Sequence, residues 1–64
     1  MNSRDALKAI LIEFGFKRLD YEKMFDPKDM PSAMKIEYEK AGDVMRWAER
    51  QLNEINRIAE EIES

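Results

Sequence analysis

Residues 37–51, EYEKAGDVMRWAERQ, set a glycine and an aspartate side by side, Gly42-Asp43, inside a segment that otherwise reads as helix. Gly42 suits the position just past a helix end and Asp43 suits an N-cap, so local signals alone would cut the chain there. The apolar spacing argues the opposite. Met34, Tyr38, Ala41, Met45, Ala48, Leu52, Ile55, Ala59 and Ile62 follow at intervals of 4, 3, 4, 3, 4, 3, 4 and 3, a heptad pattern that keeps its phase through Gly42. A glycine inside a helix costs about 1 kcal/mol relative to alanine, which a packed face of this length outweighs. The spacing therefore predicts one helix over residues 32–63, about 48 Å long.

Working back from it, DPKDMPS contains both prolines and predicts a loop over residues 26–31. A first helix is expected over residues 3–14. Asn2 or Ser3 would cap it, Asp5 would face the favourable end of the helix dipole, and Gly15 would lie just past its end. Its apolar face is Ala6, Leu7, Ile10, Leu11 and Phe14. Gly15 to Arg18 then reads as a turn, and residues 20–25 as a short helix begun by Asp20.

The chain has no threonine and one valine, and nowhere sustains period-two alternation, so strands have little to be made from. The fold class that follows is all-α, one small domain over residues 1–64: a short helix, a helical corner, then a long helix. A chain of 64 residues buries only about 60% of its unfolded surface. With no cysteine and no histidine it lacks disulfides and the usual zinc ligands, which leaves oligomerisation or a larger partner as the means of stabilisation.

A 12-residue first helix spans about 18 Å and leaves much of the long stripe uncovered. Positions flanking that stripe lack the matched opposite charges of an isolated two-stranded coiled coil, and Val44, Trp47 and Ile58 widen the apolar face, as in a bundle of three or four helices. Ala41, Gly42 and Ala48 form a notch that Phe14, Phe16, Tyr21 or Phe25 is expected to fill.

Charge is uneven. Residues 1–40 carry eight acidic and eight basic side chains, whereas residues 41–64 carry six acidic against three basic, so the net charge of −3 belongs to the C-terminal segment. The run Glu60, Glu61 and Glu63 reads as a solvated helix end. Glu13 with Lys17, Arg50 with Glu54, and Arg57 with Glu61 stand four apart, as ion pairs on a helix surface do. No apolar run approaches the length of a membrane span, and the N-terminus meets an acid at Asp5, unlike a signal peptide; a soluble, cytoplasmic chain with no membrane contact is the expectation.

Catalysis has little to work with. Histidine, cysteine and threonine are absent and the serines, Ser3, Ser32 and Ser64, stand at expected helix starts or the chain end, so no nucleophile and base can be paired; no enzyme activity and no cofactor are expected. Asp26 to Glu37 has the length and ends of a calcium loop, but Lys28 holds its third position and Pro31 its sixth, where an oxygen ligand and a glycine are wanted. No metal site is expected.

ILIEFGFKRLDYEKMF, residues 10–25, carries the alternative: a helix-turn-helix with Gly15 in the turn and Lys17, Arg18 and Lys23 near the presented surface. Asp20, Glu22 and the acidic balance of the chain oppose nucleic-acid binding, which needs an excess of positive charge. FGF, residues 14–16, with a short helix after it, resembles the Met-Gly-Phe loop of ubiquitin-associated domains. Phe14 replaces the methionine and no compact third helix follows, so no function is carried across.

The expected function is therefore non-catalytic protein binding by a helical homodimer, as a small adaptor, regulator or inhibitor. Its interface would be Met34, Tyr38, Ala41, Met45, Ala48, Leu52, Ile55, Ile58, Ala59 and Ile62, with Lys17, Arg18 and Lys23 as polar contacts to a second protein or, in the alternative, as nucleic-acid contacts of a small dimeric DNA-binding regulator.

Overall fold

The computed structural model describes residues 2–63, Glu63 by its backbone only; Ser64 and the Glu63 side chain, part of the expected acidic end, lie outside the described residues. Two antiparallel α-helices form a hairpin: α1 over Ser3–Met24 and α2 over Ser32–Glu63, joined through a single turn of 3-10 helix at Pro27–Asp29. No strand occurs among the described residues, so the fold is all-α. No described helix is long and apolar enough to cross a membrane.

Each boundary has a local cause. Asn2 caps α1, its Oδ1 accepting the Asp5 N–H at 2.8 Å, and Asp5 lies in the first turn. At the other end Phe25 turns extended, its N–H still reaching the Tyr21 carbonyl at 3.0 Å. Asp26 and Met30 each precede a proline, and both hold the extended backbone that the proline ring imposes on its predecessor, with ψ of 139° and 136°. The Asp26 carboxylate also accepts the Lys28 N–H at 3.2 Å, which uses an oxygen of the would-be calcium loop as a cap. The Pro31 carbonyl then accepts the Lys35 N–H at 2.9 Å and starts α2.

Two expectations about the first half are corrected. The helix expected to stop at residue 14 runs through Gly15 to Met24, so the turn at Gly15 to Arg18 and the separate helix over 20–25 are parts of one element. FGF is mid-helix, and its likeness to a loop ends there. The physical reason is that the α2-facing residues of α1 stay in phase: Leu7, Leu11, Phe14, Arg18 and Tyr21 are spaced 4, 3, 4 and 3. A 22-residue α1 is about 33 Å long, not 18 Å, and covers most of the α2 stripe.

In α2 the heptad reading holds: the helix is continuous over its 32 residues, and neither glycine adopts a positive φ. Ala41 and Ala48 are fully buried against α1, with Gly42 between them, so two helix backbones approach closely along that line. Leu7 and Met30 complete the buried apolar set, Met30 closing the loop end. No large side chain among the described residues is fully buried.

Candidate functional site

At the Gly42 position of the expected notch the neighbour is Arg18 and not an aromatic ring. The Arg18 guanidinium carbon lies 4.0 Å from the centroid of the Tyr38 ring, a stacked cation–π contact. A Cβ on Gly42 would come within 3.1 Å of that guanidinium, so the missing side chain makes its room. The Tyr38 hydroxyl donates to Glu22, four residues after Arg18 on α1. This hydrogen bond and partial burial hold the Tyr38 pKa above its ordinary value, while Arg18 pulls the other way.

Lys17, one residue earlier, points to the other edge of the hairpin. Its ammonium lies 3.4 Å from Glu37 and 6.0 Å from the centroids of both the Phe14 and Tyr21 rings. Lys17 thus takes a partner across the hairpin in place of the expected Glu13. The three basic residues picked from the sequence do not converge: Lys17 and Arg18 diverge to opposite edges, and Lys23 stands exposed in the last turn of α1. The helix-turn-helix that would have presented them is replaced by one straight element.

Of the stripe residues, Ala41 and Ala48 are buried, Met34, Tyr38, Met45, Leu52, Ile55 and Ala59 are half-buried, and Ile58 and Ile62 are exposed. The last two belong to an overhang. Ile55 shares an open groove with Asn2, Ser3 and Arg4 at the start of α1, so residues 56–63 extend beyond it. Ile62 there is 79% exposed. Arg57 braces this segment, bonding to Glu61 at 2.8 Å and, through its Nε, to Glu54 at 3.3 Å. Arg57 holds the Glu54 carboxyl below its ordinary pKa. Glu54 therefore pairs with Arg57 and not with Arg50.

A second surface was not legible from the heptad count. Ile12, Phe16 and Leu19 lie on the outer side of α1, all more than half exposed, and with Leu11 and Gly15 at the edge that meets α2 they line an open groove of about 390 Å³. Phe16, expected over the notch, is 63% exposed on this opposite face. The signal was present as a spacing of 4 and 3, but only a helix that continues through Gly15 puts the three residues on one face. A third apolar groove, about 420 Å³, runs along one edge between Ala6 and Ile10 of α1 and Trp47, Gln51 and Ile55 of α2.

The accessible surface is 4963 Å². A compact monomer of 7.6 kDa exposes about 4300 Å², so this hairpin shows about 700 Å² more. No protein-family model, curated protein or solved structure matches this chain.

Proposed function

We propose that the chain is a non-catalytic protein–protein interaction module, a small adaptor, regulator or inhibitor, that works as a helical homo-oligomer. One observation carries the reading: the described residues bury only Leu7, Met30, Ala41 and Ala48 among apolar side chains, while Ile12, Phe16, Leu19, Ile36, Trp47 and Ile62 stand about half exposed or more. A hairpin with so thin an interior gains little from burial at about 0.8 kcal/mol per buried CH2 group, and small folds of this kind obtain the rest from association. Patches of this sort on so small a chain are typical of surfaces that meet another protein.

Sedimentation equilibrium from dilute to concentrated protein tests it. Reversible, concentration-dependent association is the expected result, and a single 7.6 kDa species throughout overturns the homo-oligomer. Salt-sensitive retention on nucleic acid, lost when Lys17 and Lys23 are reversed to Glu, would replace this reading with a DNA-binding regulator.

A further inference from the structure

We propose that a second copy of this chain, related by a twofold axis that sets the two α2 helices antiparallel, lays the C-terminal end of its α2, from Ile55 through the overhang, along the outer face of α1 and receives the same contact in return. The inference rests on the homo-oligomeric reading and names the surface it uses.

Each helix, taken alone, is one neighbour short. α1 is apolar on two opposite faces, with Leu7, Phe14 and Tyr21 toward α2 and Ile12, Phe16 and Leu19 away from it, and a helix of that kind is stable between two neighbours. α2 has a single stripe, but at 32 residues against 22 it is about 15 Å longer than the helix that covers it. A single type of contact supplies both missing neighbours.

Direction and register agree with this. α1 is antiparallel to its own α2, so it runs parallel to the α2 of a copy turned by such an axis. Spacings must then match when read the same way along both helices. Ile12, Phe16 and Leu19 are separated by 4 and 3, as are Ile55, Ala59 and Ile62. In that register Ile12 meets the partner's Ile55, Phe16 lies over the partner's Ala59, and Leu19 meets the partner's Ile62, with the largest side chain over the smallest.

Where the two α1 helices begin they lie side by side, and the edge groove between Ala6, Ile10, Trp47 and Gln51 faces the shared interior. The area agrees too. The surplus of about 700 Å² per chain is close to the roughly 800 Å² that each partner buries in an interface of ordinary size. The axis makes the contact reciprocal, so it closes as a dimer and does not propagate.

Phe16→Asp and Ile62→Asp test this directly, because both side chains are exposed in the single hairpin and its helicity should survive their loss. Each variant alone should associate at least about tenfold more weakly than the wild type in sedimentation. Mixed in equal amounts, they should associate better than either alone, since one of the two contacts in the mixed pair is then intact on both sides. A wild-type chain that stays monomeric at every concentration overturns this proposal and the homo-oligomer together. A wild-type dimer that either substitution leaves intact, or a mixture no better than its components, overturns this surface and leaves the homo-oligomer standing. Should a variant lose helicity, cysteines decide: Leu19→Cys combined with Ile62→Cys should oxidise to a disulfide-linked dimer faster than either single-cysteine chain, and failure to do so overturns the register.

Discussion

Gly15 and Gly42 are both mid-helix, one in each arm of the hairpin, and each is roofed by a side chain from the opposite arm. Over Gly15 the roof is the methyl of Met45, 3.5 Å from where a Cβ would stand; over Gly42 it is the guanidinium of Arg18, at 3.1 Å. The first is an ordinary van der Waals contact made by a flexible apolar side chain. The second is tight, charged, and tied sideways to Tyr38. Neither glycine is needed for its backbone, since neither has a positive φ. What distinguishes them is the neighbour, so Gly15 is a tolerated weakness in α1 whereas Gly42 is a fitted space.

The harshest way to break this comparison is to test whether Gly15 is inside a helix at all. Gly15→Pro removes the N–H that bonds to the carbonyl four residues earlier and drives the ring into that carbonyl, at a cost of about 3 kcal/mol or more. A chain of this length has of the order of 3–10 kcal/mol of stability in total. The expected outcome is loss of most helical circular dichroism at room temperature, or a fall in Tm of more than ten degrees. A Gly15→Pro chain that melts like the wild type would show that residues 15–18 form the turn the local sequence suggests.

That test bears on what was legible beforehand. The all-α class could be read from the missing strand formers, the loop from its two prolines, and the whole of α2 because the apolar count crosses Gly42 without slipping. The same count fails across Gly15 because its next position is Arg18, which a hydropathy reading scores as polar. In the fold the Arg18 guanidinium lies over the Tyr38 ring and beside Gly42, so it serves as a seam residue with a charged tip. Nothing in a single sequence distinguishes such an arginine from a solvated one. The outer face of α1 was lost with it, since Ile12, Phe16 and Leu19 share a face only once the helix is continuous. The stripe residues Ala41 and Ala48 were placed as interface and turn out to face α1 of their own chain.

A milder perturbation separates the two glycines. Gly15→Ala adds a methyl at an ordinary distance from Met45 and should raise stability by about 0.5–1 kcal/mol through helix propensity, read as an increase in Tm. Gly42→Ala should gain less, because its methyl must push the Arg18 tip by a few tenths of an ångström and loosen the stack on Tyr38. In an Arg18→Ala background Gly42→Ala should recover the full gain, giving a coupling of about 0.5 kcal/mol in a double-mutant cycle. Equal gains from Gly42→Ala in both backgrounds would mean that Arg18 does not roof Gly42.

The smallest expected effect is also the most local, and it concerns only the charged roof. Tyr38 donates to Glu22 and is partly buried, and these two influences outweigh the opposing pull of Arg18, so its proton is held above the ordinary value of 10.0. In the unfolded chain the same hydroxyl titrates at the ordinary value. Between the two the folded state keeps a proton that the unfolded state has lost, so this contribution is fully present below pH 10 and disappears as pH rises through the folded value. Ultraviolet titration of a Tyr21→Phe chain isolates Tyr38 and should show a midpoint above 10, which Glu22→Gln should bring down because the acceptor loses its charge. The Met45 roof over Gly15 has no such titration, so alkaline destabilisation traced to Tyr38 should begin at the Gly42 end of the hairpin, where amide exchange in α2 around residues 38–42 should rise before exchange around Gly15. Simultaneous loss of protection at both glycines would place the alkaline transition elsewhere and reduce the Arg18, Tyr38 and Glu22 cluster to a surface contact.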